Sequence, residues 1–130
     1  MNSNVLAVKA AYDATATGDF APLIALLAED IQWRVTGPGP LVGHYRGKPA
    51  IGRFFARMGE TYGDSFRLRV IDILASDERV VVLTSEQGGY RGDAVAWRSA
   101  HVFTFENGLC VRFLSFQDDA FIAFWLARPH

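Results

Sequence analysis

Two residues of this 130-residue chain combine a proton-transferring side chain with an apolar setting: His101 and Asp118. Along Trp97–Phe105 the odd positions, Trp97, Ser99, His101, Phe103 and Phe105, share one face of a strand, and Arg98, Ala100, Val102 and Thr104 share the other. The odd face is the bulkier and more apolar one. His101 therefore reads as an inward histidine among aromatic rings, where a neutral imidazole offers a ligand one donor and one acceptor. The alternative is a core histidine bonded to a neighbouring side chain. Asp118 closes the next apolar segment on the face of Cys110, Arg112, Leu114 and Phe116, where its carboxylate can take up a proton or cap a following helix, as Asp119 equally can. Metal chemistry has no support: the three histidines, His44, His101 and His130, show no ligand spacing, and Cys110 is the single cysteine. No disulfide, metal site or cofactor is expected.

These residues need elements to hold them. Val5, Leu6, Val8 and Tyr12 recur at helical spacing up to Gly18. Asp19 can cap a second helix whose stripe is Phe20, Leu23, Ile24 and Leu27. Ile31–Thr36 alternates like a strand, and Gly37-Pro-Gly-Pro then permits only loop. His44 and Tyr45 follow that loop at a candidate entrance. A third helix begins after Gly47 with Pro49 in its first turn, carries Ile51, Phe54, Phe55, Met58 and Tyr62, and stops at Gly63. Four β-branched and aromatic segments complete the chain, Phe66–Leu74, Arg79–Gln87, Val95–Glu106 and Leu109–Gln117, with turns at Ser76-Asp-Glu, Gly88-Gly and Asn107-Gly108. Asp118–Ala127 predicts a short terminal helix. The order is α+β, with Trp33, Phe54, Phe55, Met58, Tyr62, Trp97, Phe103 and Phe116 as the candidate apolar wall.

Composition narrows the partners. The chain is 50% hydrophobic and 13% aromatic, and 13 basic residues face 14 acidic ones without clustering, which speaks against nucleic acid. No apolar run approaches a membrane span, and Met1-Asn-Ser-Asn resembles no secretion signal, so no membrane partner and a cytoplasmic address are expected. One domain over residues 1–130 is the expected organisation. Val80-Val-Val-Leu and Val111-Arg-Phe-Leu-Ser-Phe are apolar on both strand faces while helices cover one, predicting a homodimer through the sheet unless the terminal helix covers it.

Four pieces, Ala16-Thr-Gly-Asp-Phe, Leu26-Leu-Ala-Glu-Asp-Ile-Gln-Trp, Tyr45-Arg-Gly-Lys-Pro-Ala-Ile-Gly-Arg-Phe-Phe and His101-Val-Phe-Thr-Phe-Glu-Asn-Gly, together resemble the NTF2-like superfamily, specifically its SnoaL-like branch. The resemblance spans essentially the whole chain. It implies a cone in which three N-terminal helices pack in a strongly curved antiparallel sheet with a short C-terminal helix, and a homodimer through that sheet. It implies a pocket for a small apolar molecule, in a family of isomerases, cyclases, dehydratases, epoxide hydrolases and binding proteins. By that resemblance Asp118 is the candidate acid/base of a cyclase, and His101 falls near the oxyanion-stabilising acid of steroid isomerases. Tyr12 falls close to their oxyanion-hole tyrosine, one residue short in its spacing to Gly18-Asp19. The isomerase base has no counterpart, because no carboxylate occurs between Asp30 and Glu60. A cofactor-free isomerase, cyclase or lyase and a non-catalytic ligand-binding or interaction module both remain open.

Overall fold

Asn2 starts the first helix by accepting the N–H groups of Asn4 and Val5 on its side-chain oxygen, and Thr15 and Thr17 close it by donating hydroxyls to the carbonyls of Tyr12 and Ala14. The computed structural model describes residues 2–128. They form α1 (Ser3–Thr15), α2 (Ala21–Ala25), β1 (Leu27–Val35), β2 (Gly43–Arg46), α3 (Lys48–Tyr62), β3 (Arg67–Ala75), β4 (Arg79–Tyr90), β5 (Asp93–Glu106), β6 (Leu109–Gln117) and α4 (Asp119–Leu126). The strands make one curved sheet in the order β2-β1-β6-β5-β4-β3. Consecutive strands β3 to β6 pair antiparallel as a meander, whereas β1 joins β6 in parallel.

That parallel pair shortens α2. Asp19 does accept the N–H of Ala21, but the helix ends at Ala25, and Leu27 opens β1 opposite Cys110, whose N–H donates to Leu26 O. Leu27 is buried as a helical residue would be, so the apolar period alone could not separate helix from strand. Strand β2 is also additional to the sequence expectation. His44 and Tyr45 pair with Arg34 and Trp33 at the sheet edge, and alternate residues of this four-residue strand are exposed, leaving little apolar pattern to read.

Two turns show what the glycines do. Asn107-Gly108 forms the expected hairpin, with positive φ at both residues. The β4–β5 turn lies at Arg91-Gly92 and not at Gly88-Gly89: Tyr90 pairs with Asp93, and the two central residues have φ of 51° and 86°. Gly88 stays inside β4 because the Tyr62 ring lies against it, 2.6 Å from where a Cβ would stand.

A bulge decides which side chains of β6 face the helices. Phe105 pairs with Cys110 but Thr104 with Arg112, so Val111 is the extra residue and the alternation reverses across it. Cys110, Phe113 and Ser115 are buried, while Phe116 turns outward and is 47% exposed. The face proposed from simple alternation, with Phe116 on the inner wall, is thereby corrected. Helix α4 does not cover the open side of the sheet. Its Phe121 and Trp125 pack against Trp97 and Tyr62 on the helix side, and Trp125 is 1% exposed.

Candidate functional site

Between α1, α3 and the inner face of the sheet lies a cavity of about 320 Å³. Its wall is aromatic. Trp33 from β1 stacks on Phe113 at 3.7 Å between ring centroids and packs against Phe54 and Phe55 from α3. Tyr62, Trp97 and Phe103 continue the lining, and Met58 lies on it as well. Apolar walls of this kind strengthen an electrostatic interaction between groups buried among them.

Three titratable side chains meet on this wall. Tyr12 Oη lies 2.6 Å from His101 Nδ1, and His101 Nε2 lies 3.5 Å from Glu86 Oε2. Thr84 donates its hydroxyl to the same carboxylate oxygen at 2.7 Å. Burial would raise the Glu86 carboxyl, but the attraction of His101, helped by the Thr84 hydroxyl, outweighs it and holds the group below its ordinary value. Burial raises the Tyr12 phenol well above the usual range, and the neighbouring charges of Glu86 and Cys110 add to the rise. An ionised Glu86 fixes Nε2–H as donor, and a protonated Tyr12 then donates to Nδ1. Tyr12, His101 and Glu86 thus stand in series, a hydrogen bond at one end and a 3.5 Å charge contact at the other.

A polar shelf adjoins the relay. Ser115 is the cross-strand neighbour of His101, and Gln117 that of Ser99. Ser99 donates its hydroxyl to Gln117 Oε1 at 2.7 Å, and Gln117 Nε2 donates to Ser115 Oγ at 3.0 Å. Burial also pushes the Cys110 thiol up to about 12 and the Tyr62 phenol upward. The indole N–H of Trp33 is buried without a hydrogen-bond partner among the described residues.

Of the side chains singled out from sequence, Tyr12, Trp33, Phe54, Phe55, Met58, Tyr62, Trp97, His101 and Phe103 all line the cavity. Four do not. Asp118 is the N-cap of α4, its carboxylate accepting the N–H groups of Phe121 and Arg98, and it lies off the cavity wall. Phe116 faces outward because of the bulge. His44 is exposed on the edge strand, and Tyr45 donates its hydroxyl to Leu41 O while its ring meets Phe54. Glu86, Ser115 and Gln117 are the residues that sequence reasoning missed. Alternation from Val80 and Val82 through Thr84 puts Glu86 on the buried face of β4, a signal that the surrounding apolar run obscures. Among the described residues no three His, Cys, Asp or Glu side chains gather as metal ligands; His130 lies outside those residues. Among the described residues no helix is long and apolar enough to cross a membrane.

A curved six-stranded sheet closed by helices over an aromatic cavity defines an α+β cone. A family model for the SnoaL-like domain matches residues 8–113. The chain belongs to that family, the SnoaL-like branch of the NTF2-like superfamily. Among solved structures, Bal32a from a soil-derived mobile gene cassette is 27% identical, with 94% of this chain and 95% of that one covered and a TM-score of 0.84. An NTF2-like protein of unknown function from Burkholderia pseudomallei is 26% identical over 98% of this chain and 100% of its own, with a TM-score of 0.86. TerC, co-crystallised with polyporic acid, is similar at 22% identity over 96% and 98% of the two chains and a TM-score of 0.81, a likeness of fold. Among curated proteins, none matches.

Proposed function

We propose that the cavity binds a small, largely apolar carbonyl compound and that Tyr12, His101 and Glu86 move a proton on it without a cofactor. The observation that carries this reading is the 2.6 Å contact of Tyr12 with His101, whose other ring nitrogen faces a buried carboxylate. Tyr12 Oη takes a proton from the carbon next to the carbonyl while its own proton passes to His101 Nδ1, and Glu86 balances the imidazolium. Concerted transfer avoids a free tyrosinate, which burial disfavours. Returning the proton to another carbon completes an isomerisation with no atom or electron gained. Gln117, on the same wall, can offer an amide N–H to the carbonyl oxygen by giving up its long contacts, 3.5 Å each, to the carbonyls of Thr36 and Ser115. Asp118, the acid/base suggested by the family resemblance, has no part in this scheme.

The test is exchange of substrate carbon-bound protons in deuterated water, followed by NMR over a panel of cyclic ketones and polyketide-like compounds. Exchange is expected with the unaltered protein and with Asp118→Asn, and its loss is expected in Tyr12→Phe and His101→Ala. Exchange that survives both losses overturns the roles. A non-catalytic ligand-binding protein is the second reading, favoured by the absence of any carboxylate between Asp30 and Glu60. Thermal stabilisation by panel compounds with no exchange would select it.

The outer sheet face supports the proposed homodimer. Leu74, Val81, Val102 and Leu114 stand in register across four strands, beside Leu83, Ala100 and Phe116. Leu74 is 50% exposed, so the band is open to a second copy.

A further inference from the structure

We infer that the cavity selects ligands carrying an anionic group, which Arg67 receives at the mouth while the apolar body reaches the relay; this deepens the reading of the cavity as a carbonyl-compound site and rests on it. The mouth is identified by exposure. The deep lining, such as Trp33, Phe113, His101 and Glu86, is buried, whereas Thr15, Phe20, Met58, Phe66 and Leu68 are only partly buried and Ala16 and Arg67 are exposed. The opening therefore lies between the C-terminal end of α1, the middle of α3 and the start of β3.

Only two charged side chains line the cavity among the described residues, Glu86 in its depth and Arg67 at its mouth. Glu86 is committed to His101 and Thr84. Arg67 is different. Its Nη1 donates to the backbone carbonyls of Asp64 at 2.7 Å and Phe66 at 2.8 Å, which anchors the guanidinium without neutralising it. The hydrogens on Nη2 and Nε have no acceptor, and Arg67 has no carboxylate partner, among the described residues. Asp64 contributes its carbonyl and not its carboxylate. An anchored guanidinium with one edge of N–H groups open matches the paired oxygens of a carboxylate or sulfonate, and holding it in place beforehand lowers the entropy lost on binding. The favoured ligand is thus an amphipathic acid: a carbonyl compound whose anionic end stays at the wet rim.

Two dyes of one skeleton test this, anilinonaphthalene sulfonate and its neutral counterpart phenylnaphthylamine, each titrated by fluorescence at low and high salt. Mutual displacement assigns both to one site. The sulfonate is expected to bind at least about threefold more tightly at low salt, with the preference shrinking as salt rises. Arg67→Gln is expected to abolish the preference while leaving the neutral dye's affinity unchanged, and Arg67→Lys to retain part of it. Equal affinities in the unaltered protein, or a preference that persists in Arg67→Gln, overturn the inference while leaving the cavity reading intact. Failure of both dyes to bind overturns the two together.

Discussion

Tyr12 and His101, 89 positions apart in sequence, share a hydrogen bond of 2.6 Å. Their ring planes are inclined by 28°, with centroids 6.0 Å apart, so the helix-borne phenol cannot swing without breaking both contacts. The bond ties α1 to the middle of the sheet, and it ties the chemistry to the packing.

Breaking it has separable costs. Tyr12→Phe removes one hydroxyl and leaves the His101–Glu86 contact, so a stability loss of about 1 kcal/mol is expected in urea unfolding. His101→Ala strips the buried Glu86 of its main partner, and a larger loss, about 3 kcal/mol, is expected. Equal effects would mean that Glu86 gains nothing from the imidazole.

The pH dependence of stability follows from the same groups. Glu86 titrates below its ordinary value of 4.5 in the folded chain, so its contribution is full above that pH and is lost as pH falls through the folded value. Tyr12 and Cys110 are raised, the thiol from 9.0 to about 12, so the unfolded chain releases their protons first. The contribution of these two groups is then full below about pH 9 and falls above it. Unfolding free energies measured across pH should show both limbs, and Glu86→Gln should flatten the acid one.

Glycine substitutions should carry opposite signs. Gly88→Ala forces a methyl into the Tyr62 ring and is expected to cost about 1–3 kcal/mol. Gly52→Ala in α3 meets nothing within 4 Å and is expected to stabilise by about 0.5–1 kcal/mol. Thermal unfolding of the two variants checks both signs.

Phe116→Asp tests the dimer. Light scattering at micromolar concentration should give two chain masses for the unaltered protein and one for the variant, with the neutral dye still bound. A single chain mass for both would refute the interface.

Much of this was readable before the structure. The stripe of α3 and the Asn107-Gly108 hairpin follow from local periodicity and turn chemistry, and both stand at their expected positions. His101 also stands where the parity of β5 puts it. Phe116 departs from its expected face because one extra residue at Val111 reverses the alternation, and a bulge leaves no compositional mark. Leu27 and Cys110 illustrate the other blind spot: a parallel partner far along the chain converted the end of an apparent helix into strand. Glu86 is hidden in the sequence because a charge inside an apolar run reads as solvent-facing, whereas here His101 and the Thr84 hydroxyl face it.

The parallel pairing of β1 with β6 also has a consequence for the order of events on the ribosome. Until residues near Cys110 leave the exit tunnel, β1 has only the short β2 beside it, and its other edge, with Trp33 and Ile31, has no strand to join. The meander from β3 to β5 can zip locally in the meantime, with His101 and Gly88 already offering partners to α1 and α3, but β1 and β2 must wait for the last strand. Cavity closure is therefore a late step of synthesis, and truncation before β6 would release a chain with an aromatic half-site and an open sheet edge, the kind of species that chaperones hold and proteases remove.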